Sequence, residues 1–250
     1  MLKTKVMILS FFAFTLIYPA YAYAVTLREA QGAFDNYDKD ITNIQRSIDM
    51  FNQVITESKD NSTIYEAYVG LARAYETMGD QAKLTETSSF NDYEQGMAMA
   101  KSAIQVNPNG AMGYYWYAAN LGRKSEVQGV LNSLISLPEF KKNLHKAYEL
   151  DKTNADVLEA YGEMYYELQW VVSDSNGKTL DFLNRALASD PHLTLAMAIK
   201  GKVFIREGKY QQAKKILTAV INFKNPMYRA DWAMYDRPLA QKLLDSIKDK

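Results

Sequence analysis

The residue types that do chemistry most readily are sparse in this sequence. It contains two histidines, His145 and His192, and no cysteine. A zinc site would need both imidazoles plus carboxylates gathered by folding, since no thiolate is available. Helix position explains His145 without a ligand role: it falls in the last turn, where a cation favours the helix dipole. His192 follows Asp190-Pro191 at a helix start, an exposed setting. No nucleophile elbow, Walker A loop or dinucleotide fingerprint occurs. Asp38-Lys39-Asp40 and Asp174-Ser175-Asn176-Gly177 resemble fragments of a calcium loop, but neither completes its ligand pattern. The sequence therefore assigns no catalytic residue, no metal and no cofactor, and the chain reads as a non-enzyme.

What stands out instead is aromatic. Residues 112–123 read MGYYWYAANLGR, with Tyr114, Tyr115, Trp116 and Tyr117 in succession. Asn107-Pro108-Asn109-Gly110 breaks the chain just before, so the stretch restarts as a helix. Four successive aromatics on a helix face all round and cannot all enter one core. Tyr114 and Tyr117 share one face, and Trp116 and Asn120 share another. One reading makes all of them packing residues. The other makes Tyr114, Trp116 and Tyr117 the aromatic wall of a binding cavity, with Asn120 and Arg123 as polar anchors and Trp170 as a further lining residue.

Helices have to position these side chains. Thr26 and Glu29 form a capping box that opens a short helix towards Phe34. Tyr37, Ile41, Ile44, Ile48, Phe51 and Ile55 recur at alternating spacings of about four and three, a helical stripe. Asn61-Ser62-Thr63 matches a glycosylation sequon and also reads as a cap. Thr63 and Glu66 form a second capping box, for a helix that ends at Gly79-Asp80. A polar stretch over residues 81–91 follows, and the next helix closes at Asn107-Pro108. Pro138 interrupts the helical pattern of residues 127–150. Residues 155–168 are helical, residues 169–177 form a loop that holds Trp170, and residues 178–189 are helical up to Asp190-Pro191. A helix pair surrounds Gly208, Asn225-Pro226 breaks the chain, and residues 229–250 supply one or two closing helices. No strand is evident.

Composition narrows the function classes. The 250 residues are 48% hydrophobic and carry 29 basic and 29 acidic side chains. Zero net charge argues against a nucleic-acid footprint, which needs a basic face. The first 24 residues read as an export address: Lys3 and Lys5, then an apolar run over residues 6–17, then Pro19 and an Ala22-Tyr23-Ala24 cleavage site. Cleavage would leave Val25 as the new N-terminus and a mature charge of −2, because the address takes two lysines with it. The apolar run falls short of the roughly 20 residues that span a bilayer. The expected location is the periplasm, ahead of full secretion, with no membrane span after cleavage. An exported chain without cysteine relies on packing alone for stability.

A repeat organises the rest. Ala103, Ala147 and Ala186 each stand four residues before an Asn or Asp that ends a helix, at separations of 44 and 39 residues. Those separations exceed the roughly 34 residues of a tetratricopeptide repeat, and loops absorb the difference. Residues 197–226 form the clearest unit, with Phe204, Gly208, Tyr210, Ala213 and Leu217 in aromatic, turn, aromatic, small and large positions. The expected architecture is all-α: a tetratricopeptide-like solenoid of about four to five helix pairs. Its divisions would be a signal peptide at 1–24, an N-terminal helical pair at 25–62 and a repeat domain with closing helices at 63–250.

The order Tyr93-Glu94-Gln95-Gly96, then Gly113 through Arg123, then Ala147-Tyr148-Glu149-Leu150-Asp151 and Tyr161-Gly162-Glu163-Met164-Tyr165-Tyr166, resembles the T-component family of tripartite ATP-independent periplasmic (TRAP) transporters. The resemblance implies a periplasmic helical scaffold, often oligomeric, that associates with a solute-binding protein serving a membrane permease. Two features depart from it: no cysteine is present to carry a lipid, and the loop around Trp170 lacks the family's paired glycines. A small-molecule carrier with an aromatic-lined cavity and a general envelope-assembly scaffold are the alternatives.

Overall fold

The computed structural model describes residues 25–85 and 89–250. The export address, including Ala22 and Ala24, lies outside the described residues. Val25 lies within them, partly buried against the N-terminal core. The described chain is helical, in the order α1 (Leu27–Phe34), α2 (Thr42–Glu57), α3 (Asn61–Leu84), α4 (Phe90–Val106), α5 (Ala111–Val127), α6 (Val130–Leu150), α7 (Ala155–Glu167), α8 (Ser175–Ser189), α9 (Thr194–Arg206) and α10 (Tyr210–Ile221). A short turn α11 (Arg229–Asp231), a π-helical turn (Trp232–Asp236) and α12 (Arg237–Ser246) close the chain. Each odd-numbered helix from α1 to α9 packs antiparallel on the next, and the pairs stack along the chain. This is a tetratricopeptide-like solenoid.

The local reasons are those read from the sequence, with four changes. The Thr26–Glu29 capping box forms as expected. Thr63 does not cap α3; Asp60 does, accepting the Thr63 amide at 2.8 Å, so the helix begins three residues earlier. α3 also runs through Gly79 to Leu84. That glycine is there for contact rather than termination, because a Cβ on it would meet the Tyr93 ring of α4 at 2.5 Å. Pro138 does not interrupt α6. It removes the amide that would serve the Leu134 carbonyl, but Leu134 and Pro138 are both exposed, so water can satisfy that group. Trp170 ends a 3-10 turn (Leu168–Trp170), and α8 starts at Ser175.

The repeat signature is a packing rule. Ala103, Ala147 and Ala186 are fully buried, as is Ala213. Ala147, Ala186 and Ala213 sit in core clusters shared with neighbouring helices, and Ala103 faces Gly113 of α5. The α2 stripe buries Ile44, Ile48 and Phe51 against α1 and α3. Five such clusters run in series down the chain, each sealed by the next pair, as in other solenoids.

Candidate functional site

The first-of-pair helices α3, α7 and α9 turn one face towards residues 228–236, which cross that face as a strap. Asn225-Pro226 ends the solenoid, and the segment after it packs Ala230, Met234 and Tyr235 on the N-terminal core and Trp232 on the C-terminal one, with polar contacts to distant helices added. The Met227 amide donates to the His192 carbonyl at 3.0 Å. The Tyr228 hydroxyl donates to Asp156 of α7 at 2.8 and 2.9 Å. Arg229 forks onto Asp38 at 2.6 and 2.7 Å, tying the strap to the loop before α2. Asp231 receives the Tyr37 hydroxyl at 2.6 Å and the Arg73 guanidinium at 2.7 Å. The Trp232 indole donates to the Val220 carbonyl, Gln81 donates to the Tyr235 hydroxyl, and Thr194 donates to Asp236 at 2.6 Å.

Arg73 is the hub. Besides its pair with Asp231, its guanidinium carbon lies 3.9 Å from the Tyr228 ring centre, 4.9 Å from Phe34 and 5.9 Å from Trp116. The planar guanidinium can stack on rings and pair a carboxylate at once, which an ammonium cannot do as well. Burial of Tyr37 and Tyr228 beside carboxylates raises both phenols well above their ordinary range, so both are neutral donors here.

Acidic side chains continue inward from the strap. Asp156, Glu159 and Glu163 come from α7, Glu76 and Asp80 from α3, and Asp231 and Asp236 from the strap. Arg123 reaches over from α5 to Glu76 at 3.3 Å and Asp80 at 3.9 Å. Burial and the Asp80 charge push Glu76 up, while Arg123 draws it back down. Burial pushes Asp156 up too, against the Tyr228 hydrogen bond. Glu159 is raised by burial first, then by Asp156, Asp236 and Glu163. Asp236 is raised to about 7, mainly by burial, with Asp231 and Glu163 adding to the effect and the Thr194 hydroxyl opposing it.

The Asp236 shift has a definite consequence for stability. Folded Asp236 keeps its proton to about pH 7, whereas the unfolded carboxyl releases it near 3.8. Its contribution is fully present below about pH 4 and is lost as the pH rises through 7. Asp236→Asn keeps an acceptor for Thr194 and removes the ionisation. We expect it to raise the melting temperature at pH 8 by an amount worth a few kcal/mol, with the gain shrinking towards pH 5. Thermal melts of both proteins across that range check this. An equal gain at both pH values would mean that Asp236 is ionised throughout.

The residues singled out from the sequence do not make one wall. Trp116 is 9% exposed and packs with Ala72, Ala100 and Leu121 between α3, α4 and α5, edge-on to Tyr115. Asn120 is fully buried, and its amide donates to the Ala72 and Trp116 carbonyls at 3.1 and 2.9 Å. It sits so close to α4 that a Cβ on Gly96 would meet its oxygen at 2.0 Å. Its amide joins α5 to α3, while its Oδ1 is buried without a hydrogen-bond partner. The Tyr117 hydroxyl donates to Glu139 at 2.6 Å, beside a shallow groove of about 480 Å³ lined also by Lys101, Ile104 and Lys142. Tyr114 donates to the Pro108 carbonyl. Arg123 alone lies among the inner carboxylates. Trp170 is 88% exposed at the end of its turn, next to Val171, which is exposed as well. His145 lies 3.2 Å from the Tyr161 hydroxyl, and His192 binds the Asn225 carbonyl at 2.6 Å, so the two serve different contacts. Among the described residues no group of three His, Cys, Asp or Glu side chains is arranged to hold a metal ion.

Sequence reasoning missed the strap and Arg73. The signal for the strap was present: after Asn225-Pro226, Tyr228, Trp232 and Tyr235 recur at spacings of four and three, a short aromatic helical stripe with Arg229, Asp231 and Asp236 set among it. Arg73 sits inside the regular pattern of α3, where nothing local marks it as a hub.

Comparison with solved structures gives the fold a wider setting. TTC0263, a thermophilic TPR protein of Thermus thermophilus, superposes with a TM-score of 0.60 at 15% identity, over 88% of this chain and 99% of that one. MamA matches with a TM-score of 0.44 at 13% identity, over 86% and 97%. YrrB, a TPR protein with an unusual peptide-binding site, matches with a TM-score of 0.42 at 15% identity, over 85% and 89%. No curated protein matches. The family model described as "Regulator of microtubule dynamics protein 1-3" matches residues 26–248, from the capping box of α1 to the residues after α12. That match falls on a different family from the transporter component the sequence resembles, and since it spans the whole solenoid and its strap, the chain belongs to the regulator of microtubule dynamics protein 1-3 family.

Proposed function

We propose that this chain is a non-enzymatic tetratricopeptide scaffold that holds a segment of another protein on its inner face. The observation that carries this reading is the strap. Residues 228–236 lie across the first-of-pair helices in the manner of a bound peptide, anchored by side chains from α3, α7 and α9. A face that holds nine residues of its own chain can hold a comparable stretch of a partner. The family's description names microtubule dynamics; this reading carries over the holding of another protein and not the identity of the filament.

The export address makes the periplasm the proposed site of action, with cleavage after Ala24. N-terminal sequencing of the protein from a periplasmic fraction tests this; a chain that still begins at Met1 in the cytosol rejects it. The resemblance to the TRAP T-component makes a periplasmic solute-binding protein the first partner to look for. Affinity capture from envelope extract after mild crosslinking, read by mass spectrometry, decides. Recovery of a solute-binding protein supports the transporter accessory. Recovery of envelope-assembly proteins alone removes that link and keeps the scaffold. If neither the parent chain nor a strap-loosened variant captures a protein, the scaffold reading fails.

A further inference from the structure

The strap fits the inner face poorly in one respect, which is charge. It lays Asp231 and Asp236 onto a surface that already carries Glu76, Asp80, Asp156, Glu159 and Glu163. Among the described residues two guanidinium groups serve this set: Arg73, paired with Asp231, and Arg123, paired with Glu76 and Asp80. On α7, Arg123 also acts on Glu163 and Arg73 on Asp156, whereas Glu159 between them has no cation among its neighbours. Asp156 is satisfied by the Tyr228 hydroxyl and Asp236 by Thr194, both neutral donors.

Glu159 is satisfied by less. It is 8% exposed, and its Oε2 atom is buried without a hydrogen-bond partner. The Ala196 backbone amide supports the carboxyl, but its ionisable neighbours, Asp156, Asp236 and Glu163, are all of its own sign. A buried carboxyl oxygen left unmatched costs about 1–3 kcal/mol or more, and a pattern that retains one needs an explanation. An acidic floor closed by an acidic strap is complementary to neither. It is complementary to a positive charge. A point charge with several donors, or a guanidinium fork, would pair Glu159 and its neighbours in a setting where charge-assisted hydrogen bonds are strong.

We propose that the inner face around Glu159, Asp156 and Glu163 recognises a cationic side chain, the guanidinium or ammonium of a basic segment in a protein partner, and that this segment enters by taking the place of residues 228–236. The proposal rests on the scaffold reading and names the chemistry of its partner. The strap then acts as a resident occupant, tethered by Asp231 on Arg73 and weakened by Asp236, which is buried beside other acids. Its outer tether, Arg229 on Asp38, lies away from the acidic floor, on a side chain 43% exposed. Loosening that tether should favour the incoming segment without altering the floor.

Fluorescence anisotropy on the purified full chain tests this with a labelled twelve-residue peptide of alternating lysine, arginine and glycine. A matched peptide with glutamate at the basic positions, spermine and calcium chloride serve as competitors. The cationic peptide should bind and the acidic one should not. Glu159→Gln, close in shape and still a hydrogen-bonding group, should weaken binding at least tenfold. Arg229→Ala should tighten it several-fold, and Trp170→Ala should leave it unchanged. Equal affinity for the parent and Glu159→Gln overturns the proposal, as does failure of the Arg229→Ala chain to bind the cationic peptide. Displacement of the peptide by spermine or calcium as effectively as by unlabelled peptide would make this a small-cation site and overturn the partner assignment. The scaffold reading is judged separately: a partner captured equally by parent and Glu159→Gln keeps the scaffold and removes the cationic site.

Discussion

Arg73→Ala is expected to cost about 3–5 kcal/mol of folding free energy, a large share of the roughly 5–15 kcal/mol that holds a domain together. The guanidinium is mostly buried and neutralises Asp231, so its removal leaves a half-buried carboxylate with only the Tyr37 hydroxyl. The stacking on Tyr228 and Phe34 is lost as well. The damage should be directional. The strap buries few apolar side chains, chiefly Ala230, Met234 and Trp232, so amide exchange should rise first over residues 228–236 and in α12, while α5–α8 keep their protection. Urea denaturation measures the total and hydrogen exchange the location. Pairing the change with Asp231→Asn should recover part of the loss, because the unpaired charge goes too. If Arg73→Ala costs less than about 1 kcal/mol, the strap is held by Trp232 and the α12 contacts instead, and Arg73 is not the hub.

The contrast between Arg73 and the alanines shows what could be read from the chain. Ala103, Ala147 and Ala186 announce themselves because a small residue at a fixed place before a helix end is a local requirement of helix packing. Pattern reading recovers local requirements, and so the helix pairs and the solenoid were legible. The strap contacts join residues roughly 150–190 positions apart: Tyr37 and Arg73 with Asp231, Gln81 with Tyr235. Nothing in the spacing around Asp231 reports on Tyr37. Pro138 and Gly79 mislead for a related reason. Each is a helix breaker by local preference, yet Pro138 is tolerated where water reaches the freed carbonyl, and Gly79 is required by a tyrosine from the next helix. The aromatic run was correctly expected to face several directions, but which direction served packing depended on α3 and α4, outside the run.

Trp116→Ala puts the two meanings of that run to the test. The ring is almost wholly enclosed by Ala72, Ala100 and Leu121, with Tyr115 edge-on at 4.8 Å. Truncation leaves a cavity that helices pinned by Asn120 cannot readily collapse, since its amide ties α5 to α3 through the Ala72 carbonyl. The expected loss is about 3–5 kcal/mol. Trp170→Ala, at a side chain that touches little, should stay within about 0.5 kcal/mol. Urea midpoints of the two variants and the parent provide the comparison, and tryptophan fluorescence assigns the signal because only Trp232 is left in the double variant. A large loss at Trp116 with partner capture intact in the folded fraction makes the ring a core residue. A small loss with capture abolished would place the ring on the binding face, and the α3–α5 seam would then have to open when a partner binds.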